Sequence, residues 1–206
     1  MPAHFRETDR GTIARLLADF PLSTLVSVQP DGLSGDPIPL LYDANRGPEG
    51  TLIGHVARAN PLWRHADGQR VLAVFMGPQG YVSPSWYASK AESGKVVPTW
   101  NYAAVHLHGR LRAIDDPEWL RGLVTRLTAT QEAPRAAPWA VTDAPEDYVA
   151  AMLRAIVGIE IDVERIEAKY KLSQNRSAAD RAGTANGFAA EPEPSAQAMS
   201  GWIPVA

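Results

Sequence analysis

Apolar residues in this chain fall mostly at alternate positions, with a few stretches at helical spacing. Glu7–Asp19 reads as a helix: Ile13, Leu16, Leu17 and Phe20 share one face, and Pro21 ends it. Leu22–Val28 alternates like a strand, and Asp31-Gly32 marks a turn. Ile38–Tyr42 is a second strand; Pro37 and Pro39 place it at an edge. Thr51–Val56 is a third. Asn60-Pro61 predicts a cap and first residue of a short helix reaching about His65. Val71–Met76 is a continuous apolar strand, followed by a turn at Gly77-Pro78 and a further strand at Gly80–Ser83.

Trp86–Lys95 carries charges and Gly94, and is expected as an exposed excursion. Val97–Ile114 is the longest strand region. Val105, Leu107, Gly109 and Leu111 face one side of it, and His106, His108, Arg110 and Arg112 the other. Asp115-Asp116-Pro117 opens a helix to about Thr130, Pro145–Arg154 is another, and Ile156–Val163 is a strand. Two domains of description follow: residues 1–177 as one folded domain, and 178–206, rich in Ala, Gly, Pro and Glu, as a disordered tail. Strands in runs and helices apart from them predict an α+β fold on an antiparallel sheet or barrel, not alternating βαβ.

Composition narrows the chemistry. A chain of 206 residues has enough core to need no covalent staples, and it has no cysteine, which excludes disulfides, thiolate metal sites and cysteine nucleophiles. No apolar run reaches the roughly 20 residues that span a bilayer, and the N-terminus lacks a signal-peptide pattern, so a soluble, cytoplasmic protein is expected. The net charge of −3, with cations spread along the chain, argues against a strong non-specific nucleic-acid surface.

Four constellations remain. In GHVARANPLW (Gly54–Trp63) a strand runs into a capped turn with Arg58 between. Unpaired N–H groups and a guanidinium fork suit a phosphate, with small Ala57 and Ala59 allowing close approach. The alternative is a surface arginine beside an ordinary helix cap. Second, Trp86, Tyr87, Trp100 and Tyr102, interleaved with Ser83, Ser85, Thr99 and Asn101, suit a planar heteroaromatic ligand, or else aromatic packing in a core or dimer. Third, His106 and His108 share a strand face and could ligate a metal with His55; the flanking arginines disfavour a cation, and no metal site is assigned. Fourth, Lys169–Arg176 (KYKLSQNR) follows the last strand with positive charge and amide groups, either closing over a ligand or standing in solvent. Dinucleotide, P-loop, nucleophile-elbow and zincin signatures are absent.

GHVARANPLW, GPQGYVSPSWY, GKVVPTWNYAAVH and KLSQNRSAAD, in this order, closely resemble the PaiB-like FMN-binding negative transcriptional regulators, over about Met1 to Gly187. The resemblance implies an FMN-binding split β-barrel, antiparallel with peripheral helices, and a homodimer with flavin at the interface. By analogy with that fold, His55, Ala57, Arg58 and Asn60 would hold the FMN phosphate. Trp100, Asn101, Lys171 and Gln174 would lie near the ring or ribityl chain. The chain departs from the family where Pro37 replaces a histidine, and where Ala168 and Tyr170 replace Gly and Trp of the last motif. Two roles follow as expectations: a regulator that binds promoter DNA, or an FMN-dependent oxidoreductase in which the cofactor carries the chemistry.

Overall fold

The computed structural model describes residues 2–205. Eight strands form one sheet in the order β3-β2-β6-β7-β8-β5-β4, with β1 pairing β8 off that path. Their ranges are β1 Arg6–Glu7, β2 Leu22–Gln29, β3 Gly32–Pro39, β4 Leu41–Asp43, β5 Thr51–Ala57, β6 Arg70–Val82, β7 Thr99–Ile114 and β8 Ile156–Lys171. The helices are α1 Arg10–Asp19, α2 Leu62–His65, α3 Ser89–Ser93, α4 Pro117–Glu132, α5 Glu146–Arg154, α6 Ala178–Ala189 and α7 Pro194–Ser200. The chain divides into two compact units. Unit 1 holds residues 1–19, 76–105 and 167–206, and unit 2 holds residues 20–75 and 106–166.

Unit 2 contains most of the sheet. β2 pairs with β3 from Leu22↔Pro39 to Gln29↔Gly32, and β5 with β8 from Thr51↔Asp162 to Ala57↔Ile156. β3 stands at an end of the strand order, where Pro37 and Pro39 need not donate to a further neighbour. Leu25, Phe75, Leu107, Leu111, Ile159 and Ile161 are fully buried. Around Leu25, Phe75, Leu107 and Leu111 they alternate with less buried neighbours at period 2, whereas on β8 residues 157–161 are all buried. A smaller cluster forms where Leu120 of α4 meets Val141, Val149 and Leu153, with Trp119 and Ile156 against it. Gly158 leaves room for that indole: a Cβ there would lie 2.2 Å from Trp119. α4 begins as expected, with the Asp116 side chain accepting from Trp119 N at 2.7 Å.

Unit 1 contains the remainder of the long strands with α1, α3, α6 and α7. α1 begins at Arg10, later than the expected Glu7, because the Asp9 carboxylate accepts from Thr12 N at 2.7 Å and sets the first turn. Ile13, Leu16 and Leu17 bury its apolar face.

Three expectations are overturned. β6 runs unbroken through Gly77-Pro78, so no turn forms there. The β2 ladder on β6 ends at Ser23↔Phe75, so the N–H missing from Pro78 falls beyond it. Gly77 also lies against Leu16, which a Cβ would meet at 3.0 Å. β8 extends to Lys171, well past Val163. The expected tail from 178 is folded: α6 and α7 bury Phe188, Met199 and Ile203. Phe188, at 0% exposure, sits where a Cβ on Gly80 would come within 2.4 Å of its ring. Few apolar residues in the tail suffice because those few are completely buried.

Candidate functional site

The eight residues singled out in the sequence fall four in each unit. In unit 2, GHVARANPLW forms the end of β5 and the turn into α2. Arg58 does not present an open fork there. Its Nη1 and Nη2 bind both oxygens of Asp115 at 2.7 and 2.6 Å, Nε donates to Arg154 O at 2.7 Å, and Nη2 donates to Ile156 O at 3.0 Å. Asp115 lies below the usual carboxylate range because Arg58 hydrogen-bonds it, with the charge adding to the effect. The guanidinium therefore clasps the start of β8 to the turn before α4, and the sequence gives no sign of this because Asp115 and Arg154 are distant along the chain.

Asn60 is also committed. Its Oδ1 accepts from Leu62 N at 2.8 Å, and its Nδ2 donates to Asp36 at 3.1 Å. The cap expected at Asn60 falls instead on Pro61, since α2 spans only Leu62–His65, and Asn60 closes the turn one residue ahead of it. The hollow beside it, about 820 Å³, is bordered by Asp31 and Asp36, charges that repel phosphate. Ala57 ends the β5 ladder and is exposed. His55 stands opposite Gly158 with Nδ1 buried and without a hydrogen-bond partner among the described residues, and burial lowers its pKa. On β7, Arg112 pairs with the buried Glu160, which also meets Arg46 at 2.7 Å, and Arg110 donates to Gly68 O. Those two guanidiniums hold the fold. His106 and His108 are half-buried on the same strand, and among the described residues no group of three His, Cys, Asp or Glu is placed to hold a metal.

In unit 1 the predicted aromatic set divides in two. Tyr87 is buried, and Trp86 packs edge-on to Phe188 at 5.1 Å. Tyr87 is a core residue, and Trp86 is half-buried against Phe188. The expected exposed excursion is thus pinned at its start. Trp100 and Tyr81, by contrast, are 48% and 50% exposed, and their rings meet edge-to-face at 6.3 Å. Gln79 fixes the indole by accepting from Trp100 Nε1 at 3.1 Å. Lys169 lies 5.1 Å from the Tyr102 ring centre, and Lys171 Nζ bonds Thr99 Oγ1. The ends of β6, β7 and β8 thereby present exposed aromatic rings, with one ammonium group over Tyr102 and a second on Thr99 at the start of β7. Tyr81 and Gln79 belong to this aromatic platform: both lie in the GPQGYVSPSWY motif, and the fold of the strands brings them to Trp100.

Asn101 points away from this platform, because consecutive strand residues face opposite sides. It is completely buried, its Nδ2 donates to Ser173 Oγ at 2.9 Å, and its Oδ1 has no hydrogen-bond partner among the described residues. Ser173 is held at φ 63°, in the left-handed region. Gln174 locks that turn: its Oε1 accepts from Leu172 N at 2.8 Å and its Nε2 donates to Tyr170 O at 2.5 Å. Of the four ring-side candidates, Trp100 and Lys171 are therefore on partly open surface, while Asn101 and Gln174 support the turn from within. Exposed aromatic faces with ammonium groups beside them match a planar, anionic heteroaromatic group, so the donor set of unit 1 fits a flavin nucleotide.

The FMN-binding domain family model matches residues 1–165. The chain is 31% identical over 201 residues to the protease synthase and sporulation protein PAI 2 of Bacillus subtilis, which covers 97% of this chain and 94% of that protein. It is 32% identical over 218 residues to an uncharacterized protein of Emericella nidulans, with 88% and 87% covered. Among solved structures, the FAD and heme binding protein from Mycobacterium smegmatis matches with a TM-score of 0.61 at 18% identity, over 85% of this chain and 78% of that one. The flavocytochrome Anf3 from Azotobacter vinelandii matches with a TM-score of 0.54 at 17% identity, over 81% and 69%. Likeness at such identities is one of fold: α+β, an antiparallel split barrel with peripheral helices. No helix among the described residues is long and apolar enough to cross a membrane.

Proposed function

As the chain belongs to the PaiB-like family of FMN-binding domain proteins, with FMN as its cofactor, we propose that the flavin ring lies on the Tyr81–Trp100 platform and that the protein is a cytoplasmic, flavin-responsive regulator. The half-exposed indole of Trp100, fixed by Gln79 with Lys171 nearby, carries this reading. Stacking uses the ring faces, and the ammonium groups of Lys169 and Lys171 offset the negative charge of FMN. Bound FMN supplies electron-transfer chemistry, or serves as the sensed ligand, while the protein stacks and orients it.

The phosphate contact first placed on Arg58 and Asn60 would require Arg58 to leave Asp115, so Lys169 and Lys171 are the better candidates for the charge. Exposed Met76 and Val97 belong to the same unit as the platform and favour a homodimer that covers it, with flavin at the interface. Regulation is the reading that the relative's name supports: PAI 2 is called a protease synthase and sporulation protein.

FMN titration followed by flavin fluorescence tests the site. Trp100→Ala is expected to weaken binding roughly three- to tenfold, the worth of one aromatic contact. Unchanged affinity overturns the platform assignment. For regulation, retardation of the protein's own promoter fragment, changed by FMN and falling steeply with salt, is expected. No binding at low salt overturns direct DNA recognition. The second reading, an oxidoreductase, is favoured by the open side of Trp100, which leaves a stacked flavin accessible to a second reactant. Reduction of the bound flavin by NADH or NADPH supports that reading, and a flavin that stays oxidised with both nucleotides counts against those donors.

A further inference from the structure

Tyr81 and Trp100 stand at the two roots of one connection, residues 83–98, between β6 and β7. The C-terminal segment holds this connection at three successive points. Gly183 and Gly187, four residues apart on α6, make a flat face against Trp86: a Cβ on Gly183 would lie 2.0 Å from Trp86 O, and one on Gly187 2.2 Å from the indole. Phe188 packs edge-on against the same indole at 5.1 Å. Arg176 lies 4.6 Å from the Tyr87 ring centre. Asp180, 4% exposed in the first turn of α6, accepts from Ser89 N at 3.0 Å and from Ser89 Oγ at 2.9 Å. A loop anchored at 86, 87 and 89 has few ways left to move the residues at its two ends.

We propose that α6 is a positioning element for the flavin platform, with Asp180 and the Gly183–Gly187 face as its positioning residues, so that FMN binding and docking of α6 are thermodynamically coupled. The proposal rests on the reading that flavin occupies the Tyr81–Trp100 face. Coupling is reciprocal: if undocking α6 lowers FMN affinity, FMN must stabilise docked α6 by the same factor. A C-terminal segment that served only to complete a core would raise stability and leave affinity untouched.

The test uses the full chain. Asp180→Ala removes both bonds to Ser89 without altering the glycine face, and is expected to weaken FMN binding roughly tenfold, one charge-assisted interaction's worth. Asp180→Asn, which retains an acceptor for Ser89 N, should recover part of that loss. Gly187→Ala drives a methyl into Trp86 and should weaken binding further. In the wild type, saturating FMN should slow amide exchange across 178–189 and not across α5, which belongs to the other unit. Wild-type affinity in Asp180→Ala, verified as folded by circular dichroism, overturns the coupling. So does exchange in α6 that ignores FMN. If FMN affinity is normal in Trp100→Ala yet falls in Asp180→Ala, the platform assignment fails while the coupling stands. A wild-type chain that does not bind FMN overturns both.

Discussion

Arg58 illustrates how a residue's chemistry is fixed by what reaches it. A guanidinium at a strand-to-turn junction matches a phosphate, but it matches a carboxylate and carbonyls equally well, and here those are supplied by Asp115, Arg154 and Ile156. Arg58→Ala is accordingly expected to lower the thermal midpoint, since it strands Asp115 and two carbonyls, while FMN affinity changes little. A large loss of affinity at unchanged stability would return Arg58 to the phosphate role. His55 adds a pH dependence. Burial lowers its pKa below the ordinary value near 6.5, so as pH falls the unfolded chain takes up the proton first. Its contribution to stability is present above about 6.5 and is lost as pH falls through that value towards the folded pKa. Denaturant midpoints measured between pH 5 and 8 should therefore fall on the acid side, and His55→Gln should flatten that part of the curve.

At the scale of elements, α6 changes what the C-terminus means. Its residues are mostly small, and its helix is held by the Ser177 cap on Asp180 N and by one fully buried ring. Phe188→Ala should cost about 3–5 kcal/mol of unit 1 stability, measured by urea unfolding, because the cavity lies between Gly80 and Trp86 and neither backbone can collapse into it. A change below about 1 kcal/mol would mean that α6 is not docked in solution. The glycine pair at 183 and 187 was legible in the sequence as spacing on one helical face. The surrounding composition, rich in Ala and Pro, outweighs that spacing and predicts disorder.

On the scale of the whole molecule, charge matters for the regulator reading. The chain carries 20 cationic and 23 acidic side chains, and arginines 46, 58, 70, 112, 121 and 126 all sit in ion pairs. A monomer with cations so occupied has little to give to DNA phosphates. The steep salt dependence expected of a promoter complex therefore requires a dimer that gathers lysines from two copies; a monomeric complex would show a shallow slope. Sedimentation at concentrations spanning the FMN titration should show one dimeric species; a monomer that binds FMN with full affinity would refute the interfacial flavin.

The amino-acid sequence determined the elements and the family. Alternation along Val105–Leu111 and Val157–Val163, the Asp116 cap and the ordered motifs are local patterns, readable because strand and helix periods write themselves directly onto residue spacing. Tertiary structure decided the site. Tyr81 meets Trp100, Asp115 takes Arg58, and Asp180 takes Ser89 through contacts between residues far apart in the chain. No local pattern encodes these partners. Trp100 and Asn101 are neighbours in sequence, yet the pleat sends one to the exposed surface and the other into the core.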